Sequence, residues 1–142
     1  MRGAIHHIDL TVKDADASRP FYESVLGFMG YRLSSFISDL NDAPPNGFDF
    51  DLQDGDAFCS IGILSSRGEN AEREHDRYSP GLHHIAWNAS SRADVDAMYA
   101  HLLSIGATIL DPPAAYPKYG PTYYAVFFAD PDGLKLEYVH KP

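Results

Sequence analysis

Two histidines and one glutamate are the residues of this chain best suited to metal chemistry. "IHHIDLTVKD" begins at Ile5 and "LHHIAWNASS" at Leu82, each setting an aliphatic residue before a His-His-Ile triplet. His7 and His84 therefore occupy the same slot of two similar stretches, 77 residues apart. Near the C-terminus, "DPDGLKLEYVH" carries Glu137 in the middle of an apolar strand pattern. A carboxylate there needs a partner, because an unpaired buried charge costs several kcal/mol. A divalent cation is one such partner, and a surface strand position paired to Lys135 is another. Two imidazoles and a carboxylate suit Fe2+, Mn2+, Zn2+, Ni2+ or Co2+ and leave coordination positions open to water or substrate. The expected metal ligands are His7, His84 and Glu137, with one metal ion acting as a Lewis acid or lowering the pKa of bound water.

The elements that would carry these residues are written twice. After each histidine stretch comes a helical pattern stopped by glycine: Ser18 to Leu26 with Gly27, capped by Ser18 or Asp16, and Ala93 to Ile105 with Gly106. Three strand patterns follow each helix. The first set is Gly30–Ile37, Gly47–Leu52 and Ala57–Leu64; the second is Thr108–Leu110, Thr122–Ala129 and Leu134–His140. The turn signals "PPNG", "DGD" and "DPDG" separate them. The fold class expected is α+β: two βαβββ modules, 1–65 and 81–142, joined by a polar linker over 66–80, in one domain of 142 residues.

Period two sorts the faces of these strands. Ile8, Leu10 and Val12 belong with a helix, and His7, Asp9 and Thr11 with whatever the sheets enclose. His84, Ala86 and Asn88 share the corresponding face of the second module, opposite Ile85 and Trp87. Glu137 lies opposite the Leu134, Leu136, Tyr138 row. His6 and His83 are expected to pack or hydrogen-bond under the helices, and Cys59, in step with Ile61 and Ile63, to be buried and inert.

Composition bounds the partners. Eleven Lys and Arg stand against twenty Asp and Glu, a net charge of −9, which disfavours nucleic acid and anionic membrane surfaces. The N-terminus reads as neither signal peptide nor membrane span, and a single cysteine suits a reducing compartment, so a cytoplasmic location is expected.

At "HHIDLTVKD", "SRPFYESVLGF", "GLHHIAWNA" and "FADPDGLKLEYV" the chain resembles the vicinal oxygen chelate superfamily. That group includes glyoxalase I, bleomycin resistance proteins, fosfomycin resistance enzymes and extradiol dioxygenases. The resemblance implies paired βαβββ modules forming a curved mixed sheet around a metal cavity, ligands at His7, His84 and Glu137, a small-molecule substrate with vicinal oxygens, and a homodimer. Glyoxalase I is similar but draws a fourth ligand from the last strand of its first module, where this chain offers Phe58, Ser60 and Gly62. Fosfomycin enzymes commonly carry threonine where this chain has Asp9, and need a cationic cradle. The expected activity is therefore a dioxygenase or lyase; the alternative is a metal-free binding protein, like the bleomycin resistance proteins, that sequesters a cationic or aromatic compound. Asp9 is the candidate catalytic residue, as general base or as a partner orienting a ligand histidine; an exposed strand-end carboxylate is the other reading. Lys118, Tyr119 and Tyr124, in "YPKYGPTYY", and Asn88 are the candidate substrate contacts, although that segment also reads as a proline-rich surface loop.

Overall fold

A computed structural model describes residues 2–38, 41 and 43–142. The chain forms two compact units, Met1–Arg73 and Glu74–Pro142. The first contains β1 (His7–Val12), α1 (Ala15–Phe28), β2 (Arg32–Ile37), β3 (Gly47–Asp54) and β4 (Ala57–Ser65). The second contains β5 (Ile85–Asn88), α2 (Arg92–Ser104), β6 (Thr108–Ala115), a short 3-10 turn at Pro117–Tyr119, β7 (Tyr124–Ala129) and β8 (Lys135–His140). Each unit is a four-stranded mixed sheet with one helix, in the orders β1-β4-β3-β2 and β5-β8-β7-β6. In both, the first strand runs parallel to the last and the other pairs are antiparallel. The α+β expectation and the βαβββ order of each module hold.

The helices end alike. After α1, Gly30 N–H donates to Gly27 O at 3.1 Å and Tyr31 N–H to Leu26 O at 3.0 Å. After α2, Gly106 N–H donates to Leu103 O at 3.1 Å and Ala107 N–H to Leu102 O at 3.0 Å. This is the Schellman arrangement, whose left-handed position favours glycine; Gly30 has φ +98° and Gly106 φ +68°. The stop for α1 is thus Gly30 and not Gly27, which lies inside the helix. The N-cap is Asp14, whose side chain accepts from Ala17 N, and not Ser18 or Asp16. Pro20 consequently sits in the second turn, leaving the Asp16 carbonyl without its usual donor on an exposed side of the helix. In α2, Ser91 caps Asp94 N–H while Asp94 accepts from Ser90 N–H, as the local sequence favours.

The first core packs Ala15, Tyr22, Val25 and Leu26 of α1 with Leu10, Val12, Phe48, Phe50, Ile61 and Ile63 of the sheet. Register puts Ile8 beside Ile61 and Leu10 beside Ile63, with Phe50 and Phe48 across from them. The opposite face then carries His7, Asp9, Ser60, Gly62, Asp49 and Asp51. In the second unit Val95, Met98 and Leu102 of α2 meet the row that includes Val126, Phe128, Leu136 and Tyr138. The other face of this sheet is also covered: Ala125, Phe127 and Val139 form a small core with Tyr116 and Tyr123 packed on it.

Two packing expectations are corrected. His6 and His83 are exposed, because they precede the first laddered residues, where Ile5 (63% exposed) and Leu82 (38%) are uncovered as well. Cys59 is half-buried, lying near the start of β4.

Candidate functional site

Glu137 is a buried carboxylate of the second unit, 2% exposed in the interior strand β8; Asp130, at the turn before that strand, is buried as well. Register sets it between Ala86 of β5 and Phe127 of β7, so aliphatic and aromatic carbon flanks it in the sheet. Two side chains approach its oxygens. The Tyr123 hydroxyl donates to Oε1 in a short hydrogen bond. His84 Nε2 lies 3.3 Å from Oε2. Burial, the bond to Glu137 and that carboxylate's charge push the Tyr123 phenol far above its ordinary value, so it stays a donor throughout the neutral range.

His84 faces Glu137 through one ring nitrogen and its sequence neighbour through the other: His83 Nδ1 lies 2.7 Å from His84 Nδ1. One of these two nitrogens carries the proton. If His83 donates, His84 presents Nε2–H to Glu137. If His84 donates, its Nε2 lone pair points at Oε2 and the two repel unless a cation lies between them. Although the His83 ring is exposed, partial loss of water against its neighbours, then the positive charge of His84, Arg77, Lys135 and His75, lowers its pKa, so a neutral ring able to donate or accept is favoured. The first unit repeats the device, with His6 Nδ1 3.1 Å from His7 Nδ1. The neighbour orienting His7 is therefore His6; Asp9 accepts no hydrogen bond from a described residue.

Ligand atoms each about 2.1 Å from one ion, at right to tetrahedral angles, stand about 3.0–3.4 Å apart, and the His84–Glu137 pair at 3.3 Å meets that spacing. No group of three or more His, Cys, Asp or Glu side chains able to hold an ion gathers among the described residues. His7 belongs to the first unit, on the polar face of β1.

That polar face lines a cavity of about 380 Å³. Its wall includes His7, Asp9, Asp49, Asp51, Phe58 and Ser60, and no lysine or arginine among the described residues. Asp49 is held by Ser35, whose hydroxyl donates to Oδ2 at 3.0 Å. Phe58 lies against the His6 ring, centroids 4.8 Å apart.

The candidate substrate contacts separate. Asn88 shares the Glu137 face through its pairing with Val139. Tyr119, 51% exposed, stacks near Tyr123 with centroids 5.3 Å apart, and Lys118 Nζ lies over the Tyr119 ring at 4.8 Å. Tyr124 turns the other way, donating to Asp96 of α2 at 2.7 Å beneath Arg92. Tyr123, which meets Glu137, was not singled out from sequence, although period two from Phe127 and Ala125 points to it. Asp49 and Asp51 were missed likewise, although the alternation in "GFDFDL" sets them opposite Phe48 and Phe50.

Two four-stranded mixed sheets, each with its helix, and the paired histidine stretches define a glyoxalase-like protein. Residues 4–138 match the Glyoxalase/Bleomycin resistance protein/Dioxygenase superfamily, and the chain belongs to it. It is 33% identical over 139 residues to the protein YqjT of Bacillus subtilis (strain 168), described as uncharacterized, covering 95% of this chain and 97% of that one. Among solved structures it is similar to a candidate glyoxalase from Bacillus halodurans, with a TM-score of 0.77 and 27% identity over 99% of this chain and 97% of that one. Its fold also matches that of lactoylglutathione lyase from Agrobacterium tumefaciens, with a TM-score of 0.64 and 20% identity over 97% and 93% of the two chains.

Proposed function

We propose that this protein is a divalent-metal-dependent enzyme, of dioxygenase or lyase type, acting on a small substrate with vicinal oxygen atoms. The reading rests on one observation: a carboxylate 98% withdrawn from solvent that meets an imidazole nitrogen at ligand spacing. His84 and Glu137 would hold the ion together with His7, from the first unit of the same chain or of a second copy in a homodimer. When bound, the ion (Fe2+, Mn2+, Zn2+, Ni2+ or Co2+) supplies Lewis acidity toward a substrate oxygen. Tyr123 holds Glu137 Oε1 and so aims the second oxygen at His84. His83 and His6 set the ring orientations of His84 and His7, which is how an outer partner tunes a ligand. Asp9 offers a carboxylate on the His7 face, able to take a proton from bound substrate. Asn88, Tyr119 and Lys118 line the approach on the Glu137 side. A cytoplasmic location accords with the lone unpaired cysteine, and no helix among the described residues is long and apolar enough to cross a membrane.

Metal analysis of protein purified without chelator tests this. One ion per chain is expected, lost in His84→Ala and Glu137→Gln while the fold persists. Substoichiometric metal in the native protein refutes it. A second reading, a metal-free binding protein, is favoured by one feature: Tyr123 already donates to one Glu137 oxygen and His84 stands 3.3 Å from the other without an ion.

A further inference from the structure

The polar face of the first sheet holds a second constellation, built around a missing side chain. Gly62 of β4 lies between Asp9 of β1 and Asp49 of β3 in register. A Cβ on Gly62 would meet Asp9 Oδ1 at 2.3 Å and Asp49 Oδ1 at 3.0 Å. Two carboxylate oxygens therefore lean over the glycine toward one point, and no side chain of β4 fills the space between them. Like charges so placed repel, and Asp51 adds a third carboxylate to the same cavity wall. The wall holds no lysine or arginine among the described residues; Ser35 donates to Asp49 Oδ2, and His6 and His7 lie on the same wall.

Two residues before Gly62 on the same face, Ser60 lines the same cavity and is 7% exposed. Its backbone N–H donates to His6 O, but its hydroxyl has no hydrogen-bond partner among the described residues. No fully buried side-chain oxygen lacks a partner among the described residues, so this hydroxyl opens onto the cavity, where a ligand can reach it. Phe58, two residues before it, supplies an aromatic wall.

We propose that this face binds the protonated primary amine of a small molecule. Asp9 and Asp49 accept its N–H bonds over Gly62, Ser60 Oγ turns toward it, and Phe58 packs on its carbon body. Charge-assisted N–H···O bonds span about 2.7–2.9 Å, so a nitrogen slightly outward of the Gly62 Cβ position reaches both carboxylates. An ammonium suits the place, where two carboxylate oxygens lean over Gly62 with Asp51 and Ser60 on the same wall. The cavity, about 380 Å³, has the size of a small-molecule site. This names the substrate class of the proposed enzyme and in that respect rests on that reading, and it moves Asp9 from proton abstraction to charge recognition. The amine contacts themselves involve neither His84 nor Glu137, so the two ideas fail separately.

The test is calorimetric titration of the full chain with phenethylamine, its N,N,N-trimethyl analogue and 3-phenylpropionate, before and after chelator treatment. Phenethylamine is expected to bind saturably in both states, the trimethyl analogue about tenfold or more weakly because it has no N–H and overfills the slot, and phenylpropionate not at all. Asp49→Asn should weaken the amine by about tenfold or more with an unchanged circular dichroism spectrum. Gly62→Ala should do the same by filling the slot; if it fails to fold, Asp49→Asn and the ligand series still decide. Equal binding of amine and carboxylate, an unaffected Asp49→Asn variant, or amine binding that disappears on chelation would each overturn the proposal.

Discussion

Tyr123→Phe isolates the bond that holds Glu137 in place. The substitution keeps the ring packed against Ala125, Phe127 and Val139 and removes only the hydroxyl that donates to Oε1. A hydrogen bond to a charged group contributes about 1.5–3 kcal/mol. Tyr123 is half-buried, so water can partly replace the lost donor, and the expected cost is about 2 kcal/mol. For a chain of this length that corresponds to a fall in Tm of about 6–10 °C, at roughly 3–5 °C per kcal/mol. The companion variant Glu137→Leu removes the buried charge altogether, and replacing such a charge by a packed apolar group is often neutral or stabilising. In that background Tyr123→Phe should cost little, giving a coupling energy of about 1 kcal/mol or more. The assay is denaturant unfolding of the four proteins of the cycle, with chelator present so that metal binding does not enter the balance. A single variant within about 0.5 kcal/mol of wild type, or the same cost in both backgrounds, refutes the assignment of Tyr123 as the residue that fixes the carboxylate.

Gly47→Ala should destabilise the first unit by about 3 kcal/mol or more, because the added Cβ would stand 2.1 Å from the Ile63 carbonyl oxygen, a backbone atom that cannot swing aside. Denaturant midpoints measure it, and a loss below about 1 kcal/mol would contradict the strand approach described. Alkaline stability should depend on Tyr138, whose hydroxyl donates to Asp94 at 2.8 Å. Burial and that bond raise the phenol well above its ordinary value of 10.0, so its contribution is complete below that pH and is lost as pH rises toward the folded value. The stability gap between wild type and Tyr138→Phe should therefore shrink above about pH 10, as read from unfolding midpoints; a constant gap would refute it. On the acid side, burial raises the Asp94 pKa, but bonds from Ser90 and Tyr138 outweigh it and leave the net value lowered. The Asp94 contribution is present above the ordinary aspartate range and is lost as pH falls through the folded value, so Asp94→Asn should flatten the loss of stability on acidification.

The repeated histidine triplets, the βαβββ order and the faces of the first strand of each module and of the last strand were legible in the sequence alone, because each follows from local chemistry. Periodicity of two divides His7 and Asp9 from Leu10 and Val12 without knowledge of any neighbour, and Leu10 and Val12 are indeed buried while Asp9 is exposed. Helix ends were less legible: Gly27 and Gly30 both offer a stop, and only the backbone conformation that puts Gly30 at positive φ separates them. Pairings across strands were beyond sequence reading, because alternation assigns a residue to a face but not to an opposite number. The meeting of Tyr123 with Glu137, 14 residues apart, depends on β7 lying beside β8 in one register. The convergence of Asp9 and Asp49 over Gly62 needs β1 and β3 on either side of β4. A residue's type and parity are carried by the chain itself, whereas the identity of the side chain that reaches it is decided by strand order and register, which only tertiary packing sets.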